Sequence, residues 1–167
     1  MRISFDVDDT LVCGPVVPTE QFVPWWKRWW YPERLRRGTR NLMEELRARR
    51  CQIWIYTTSE RSPSYLRGWF GSFGVPIYGV VNQRRHERII RPHTWSGSYP
   101  PSKYPPAFGI DLHVDDSEGV ALEGERFRFR VLVVAPADPD WVTKVLQAVD
   151  GRLHRSRTPT ERPAHGS

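Results

Sequence analysis

Two aspartates, Asp6 and Asp8, follow closely on the short apolar run Ile3-Ser4-Phe5. In a strand of Ile3, Phe5 and Val7, alternate side chains share a face, so Asp6 and Asp8 emerge on one side at its carboxyl end. Like charges that close repel, and burying a carboxylate without a partner is costly. The pair therefore calls for a bound cation, a shared proton or plain exposure to water. Further along, Thr57-Thr58-Ser59 follow a second apolar run, Asp115-Asp116 follow a later one, and Lys103 stands in the loop before it. In-line phosphoryl transfer needs a nucleophile, a proton carrier for the leaving oxygen and cations to offset charge on the phosphoryl oxygens. These residues offer each of them. Plainer readings stand beside this one: a solvated turn at Asp6 to Thr10, a helix cap at Thr57, a surface lysine in a proline-rich loop.

The elements that must position these groups alternate between strand and helix. After the first strand, Thr39 to Arg50 carries Leu42, Met43 and Leu46 at helical spacing, with Thr39 at the cap. A buried strand through Ile53 and Ile55 ends at Thr57. Ser62 to Phe73 reads as a helix opened by Pro63, Ile77 to Val81 as a short strand, and Arg84 to Arg91 as a basic stretch without assigned form. Five prolines place Pro92 to Pro106 in a loop. Ile110 to Val114 and Phe127 to Val134 read as strands, and Pro139 to Val149 as a helix with Trp141, Val142, Val145, Leu146 and Val149 along one face. The expected fold is α/β: a Rossmann-like parallel sheet flanked by helices, with its ligand site outside the carboxyl ends of the strands. Residues 1–151 form one domain, 13–37 an irregular insert, and 152–167 a disordered basic tail.

The order Asp6-x-Asp8-x-Thr10, Thr57, Lys103, Asp115-Asp116 resembles the four motifs of the haloacid dehalogenase-like (HAD) superfamily of aspartate-nucleophile phosphohydrolases, across nearly the whole ordered chain. The resemblance implies a Mg²⁺-dependent phosphatase. Asp6 would be the nucleophile that becomes an aspartyl-phosphate, and Asp8 the acid and then the base. Thr10 would orient Asp8, Thr57 with Thr58 nearby would contact the phosphoryl group, and Lys103 would bridge nucleophile and phosphoryl oxygens. Asp6, Asp115, Asp116 and the main-chain carbonyl of Asp8 would hold the metal, with Asp116 a direct ligand and Asp115 paired to Lys103. Against the family's larger members, only the short Trp-rich insert stands in place of a cap domain, which leaves the site open.

Composition narrows the setting. With 167 residues, 39% hydrophobic, the chain has enough material for one core. No apolar run approaches a membrane span, and two cysteines, Cys13 and Cys51, fit a reducing compartment, so the expectation is a cytoplasmic protein. The net charge of +6 concentrates in residues 25–40 (Lys27, Arg28, Arg34, Arg36, Arg37 and Arg40 against Glu33), in 84–91 and in the tail. A basic rim around an acidic centre suits an anionic substrate. Four of the eight tryptophans fall in residues 25–30. Trp25, Trp26 and Arg28 are therefore candidate substrate contacts, through stacking on bases and pairing with phosphates, or Trp packs the flank of the core. His86, His93 and His113 lack ligand spacing and read as structural or exposed, and Asp111 as surface. The competing function is a nucleic-acid or protein-binding module without catalysis, which would have no reason to keep Asp6 and Asp8 together. Substrate identity and oligomeric state stay open.

Overall fold

Alternation in the strands sorts the side chains into two layers. In the computed structural model, which describes residues 1–21, 27, 29–91, 95 and 99–157 (154–157 by backbone alone), β1 (Arg2–Phe5) and β2 (Gln52–Tyr56) pair in parallel. Their Ile3, Phe5, Ile53 and Ile55 enter the main core, whereas Trp54 and Tyr56 point the other way, into a smaller cluster with Val81, Phe108 and Ile110. Each fully buried Leu, Ile or Phe contributes roughly 1.5–3 kcal/mol. β3 (Gly79–Val81), β4 (Leu112–Asp115) and β5 (Val131–Val133) complete an all-parallel sheet in the order β3-β2-β1-β4-β5, the α/β arrangement of a Rossmann-like core.

The helices cover the sheet for reasons visible in their sequences. α1 (Thr39–Ala48) buries Leu42, Met43 and Leu46 and lies against β2 and the helix Trp141–Arg157. Gly38, at φ 90°, occupies its cap position, and Thr39 is the first helical residue, its hydroxyl donating to the Arg36 carbonyl at 2.6 Å. The expected Thr cap is thus displaced by one residue. α2 (Pro63–Ser72) starts on Ser62, whose hydroxyl accepts the Tyr65 N–H at 3.1 Å, with Pro63 where its missing N–H costs nothing. The basic stretch left without form is α3 (Gln83–Ile90), capped by Asn82 and burying His86 and Ile90.

Two expectations change. Residues 118–126, unassigned in the sequence reading, and Phe127, expected to open a strand, form α4 (Glu118–Phe127), closed by Arg128 in the left-handed conformation at φ 59°. The strand expected from Phe127 therefore begins four residues later, at Val131. Gly119 and Gly124 mask this helix in sequence, yet Gly124 is required: a Cβ there would come within 2.8 Å of the Phe129 carbonyl. α5 (Trp141–Arg157) runs through Gly151 into the segment expected to be a disordered tail, and Arg152 donates to Asp111 at 2.9 Å. Residues 158–167 lie outside the described part.

The chain steps from β1 outward to β2 and β3, then returns past β1 to β4 and β5. The reversal falls between β1 and β4. In open parallel sheets the crevice at that point, beyond the carboxyl ends of the strands, is where ligands bind.

Candidate active site

Strand register brings the two acidic motifs together. Phe5 pairs with Val114, and the next residue, Asp6, donates its backbone N–H to the Val114 carbonyl at 2.9 Å. Asp6 thus leaves the end of β1 beside Asp115, the last residue of β4. Oxygens of Asp6, Asp115 and Asp116 lie within 4.8 Å of one another. Lys103, its side chain only 4% exposed, places its ammonium 2.7 Å from Asp6 Oδ1 and 2.6 Å from Asp115 Oδ2. One cation between three carboxylates leaves the centre with surplus negative charge.

Burial and charge act on these groups in opposite senses. Burial pushes the Asp6 carboxyl up to about 6, against the pull of Lys103, and Asp115 adds to the rise. Burial also raises Asp116. For Asp115 burial works the same way, but the bond from His113 and the charge of Lys103 outweigh it and hold the carboxyl well below its usual range. Burial depresses His113, which is fully enclosed and neutral at pH 7. Its Nε2–H donates to Asp115 Oδ2 at 2.8 Å, so Nδ1 accepts the Ser4 hydroxyl, also at 2.8 Å. The Ser117 N–H completes the cradle on Asp115 Oδ1 at 2.9 Å.

The loop that carries Lys103 is itself fixed. The backbone N–H of Tyr104 donates to the Tyr56 hydroxyl, which sits on β2 and is bonded in turn to His86 of α3. Thr57, at the end of β2, is buried; its Oγ1 accepts the Ser59 N–H at 3.1 Å, which leaves its own O–H to donate. Thr58 is exposed and lines a cleft of about 550 Å³ with Gln83, His86, Glu87, Pro101 and Ser102 among others. A second cavity, about 380 Å³ between the insert and α5, is lined by none of Asp6, Asp8, Asp115 and Asp116.

Asp8 and Thr10 depart from the expected arrangement. The chain turns tightly from Val7 to Val12, with Asp9 at φ 58°, and the Thr10 hydroxyl donates to Asp116 Oδ1 at 3.2 Å rather than to Asp8. The Asp8 carboxylate is not among the three clustered ones. It is 55% exposed and lies in the fork of Arg61, NH1 and NH2 each 2.8 Å from one of its oxygens. Arg61 also bonds Glu33 of the insert, which accepts the Tyr65 hydroxyl at 2.9 Å. Neither Arg61 nor Glu33 stood out in the sequence.

Of the insert, Trp25, Trp26 and Arg28 lie outside the described residues. Its two ends pack: Glu20 and Arg37 bond across to Leu35 and Pro18, Leu35 is buried, and Tyr31 lies on Gly68 and Tyr65 of α2. Between them Trp29 and Trp30 are 86% and 77% exposed. The basic rim is smaller than the sequence implied. Arg36 is buried, donating to the carbonyls of Thr10, Ala135 and Asp138, while Arg84 and Arg91 pair with Glu60 and Glu87.

His113 is buried, in line with the structural reading, but its bond to Asp115 was not anticipated. A signal was present: it stands two positions before Asp115 in a strand, on the same face. No protein-family model matches this chain, and no curated protein matches it.

Proposed function

We propose that this chain is a phosphomonoester hydrolase of the kind its motifs resemble, working through a phosphorylated Asp6. The observation that carries the reading is the Lys103 ammonium set between Asp6 and Asp115 at the sheet's switch point. An Asp6 oxygen attacks phosphorus, the bond to the leaving oxygen breaks, and that oxygen takes a proton from Asp8, which has picked one up from solvent on turning away from Arg61. Water then attacks the phosphorus of the aspartyl-phosphate, gives a proton to Asp8, and releases phosphate with Asp6 restored. Lys103 and the Thr57 hydroxyl offset charge on the phosphoryl oxygens. Asp8 reaches the leaving group only once its oxygens turn from Arg61.

The donor set fits a hard cation. All three clustered ligands are carboxylates, and Lys103 meets only two of them, which leaves negative charge at the cluster for a cation to offset. Asp6, Asp115 and Asp116 would hold it, and we take Mg²⁺ as the ion. When bound, it supplies positive charge against the phosphoryl oxygens. Both cysteines are free, in keeping with a reducing cytoplasm, and among the described residues no helix is long and apolar enough to cross a membrane.

The direct test is phosphate release from para-nitrophenyl phosphate and a panel of phosphate monoesters, with Mg²⁺ or with EDTA, alongside Asp6→Asn. Turnover that needs the metal and vanishes in the variant is the expected result; full turnover in Asp6→Asn removes the nucleophile assignment. A second reading, a surface that binds single-stranded nucleic acid, is favoured by exposed Trp29 and Trp30 and is compatible with the first.

A further inference from the structure

Arg61 is placed as no purely structural arginine needs to be. One side of its guanidinium is anchored: Nε and NH2 bond Glu33, and Glu33 is held by the Tyr65 hydroxyl. Its backbone is anchored too, the Arg61 carbonyl accepting from Asn82 at 3.2 Å. The other side, a flat pair of N–H donors, meets the exposed Asp8 carboxylate. That fork matches any pair of anionic oxygens, carboxylate or phosphate alike. Asp8 is the open end of this network, 55% exposed against 22% for Arg61, so it is the partner that an incoming anion can replace.

Asp8 cannot keep both oxygens in the fork and present one to a leaving group. Whenever it turns, the anchored guanidinium is left without that anion. The triad of Asp8, Arg61 and Glu33 has one cation for two carboxylates, so a substrate anion entering as Asp8 departs restores the same charge balance.

Resting on the phosphatase reading, we propose that Arg61 recognises a second anionic group carried on the leaving-group side of the substrate. The substrate class is then a phosphate monoester whose alcohol half bears a carboxylate or a further phosphate. Simple alkyl and aryl phosphates are poor members of it. The anion that draws Arg61 off Asp8 also frees Asp8 to take up a proton from solvent and carry it to the leaving oxygen, which couples recognition to proton transfer.

Matched substrates test this. For a carboxylate, kcat/KM is compared between 2-phosphoglycolate and 2-hydroxyethyl phosphate; for a phosphate, between thymidine 3′,5′-bisphosphate and thymidine 5′-monophosphate, following loss of the 5′ phosphate. The wild-type protein is expected to prefer the doubly anionic member of at least one pair by about tenfold or more. Arg61→Gln should bring that ratio to near one. Arg61→Lys, which keeps the charge and the fold but loses the fork, should fall between. The pair that responds identifies the anion. A wild-type ratio near one in both pairs, or a preference that survives in Arg61→Gln and Arg61→Lys, overturns the proposal while the phosphatase reading stands. No phosphate released from any substrate removes both.

Discussion

The Tyr56 hydroxyl lies 2.5 Å from His86 Nδ1 and accepts the Tyr104 N–H at 2.8 Å. The first bond ties β2 to α3. The second ties both to the residue that follows Lys103. Burial lowers His86 and raises the Tyr56 phenol, so both are neutral at pH 7 and Tyr56 donates to the imidazole. The lysine between Asp6 and Asp115 is therefore positioned from a layer of the protein that contributes no group to the acidic cluster.

Tyr56→Phe should accordingly loosen Lys103 without removing any charged group. Two polar partners, His86 Nδ1 and Tyr104 N–H, lose their bond, at a cost of about 1–3 kcal/mol each if left unpaired. Chemical denaturation measures that loss. Turnover should fall by about tenfold or more with little change in KM, since a small misplacement of a positioned group acts mainly on the chemical step. An unchanged kcat in a destabilised variant would separate the network from the lysine.

Lys103→Met should strand two buried carboxylates. Removing one partner of a buried ion pair typically costs about 3–5 kcal/mol, and here both Asp6 and Asp115 lose the same cation. A divalent cation bound by Asp6, Asp115 and Asp116 would replace part of that charge. The variant should therefore gain more thermal stability from millimolar Mg²⁺ than the wild-type protein does, while remaining inactive. Equal gains from Mg²⁺ in both proteins would argue against a cation site at these carboxylates.

Asp6 gives a pH dependence of defined sign. Its folded pKa, pushed up to about 6 by burial, exceeds the model-compound value of 3.8, so folding favours the neutral acid. The stability Asp6 contributes is then fully present below the unfolded pKa and is lost as pH rises through the folded one. In EDTA, urea unfolding of wild type and Asp6→Asn should diverge between about pH 4 and about pH 7, the variant gaining by roughly 3 kcal/mol. Mg²⁺ should shrink the difference at the upper pH. A gap that stays constant across this range would show that the buried carboxyl is not paying a charge penalty.

How much of this was legible before the fold was known depends on the range of the interaction. Ile3, Phe5, Ile53 and Ile55 alternate with residues of the other face, so the strands and the parallel α/β sheet followed from local pattern, as did α1 and α2. α4 was missed because Gly119 and Gly124 lower its intrinsic preference, and only packing against Phe129 and Val131 explains why a glycine sits there. The approach of Asp6 to Asp115 could be anticipated because strand ends converge in a parallel sheet, whereas Lys103, in a loop, was expected there only through the family resemblance. The fork of Arg61 on Asp8 could not: the partners are 53 residues apart, and nothing in the sequence says where the Asp8 side chain turns after the Asp9 bend. Ser4 and His113, 109 residues apart, meet only through strand register.

The insert separates into residues that pack and residues that present themselves. Tyr31 lies against Tyr65 and against Gly68, where any Cβ would overlap its hydroxyl, whereas Trp29 and Trp30 leave most of their surface in water. Tyr31→Ala should therefore cost stability, and Trp29→Ala with Trp30→Ala should change it by no more than about 0.5 kcal/mol apiece. If these indoles stack on bases, the same double variant should weaken binding of a short single-stranded oligonucleotide by about 1–3 kcal/mol per base lost, measured by fluorescence anisotropy at fixed salt. Unaltered affinity, or no binding by the wild-type chain, would reject a nucleic-acid surface at these residues.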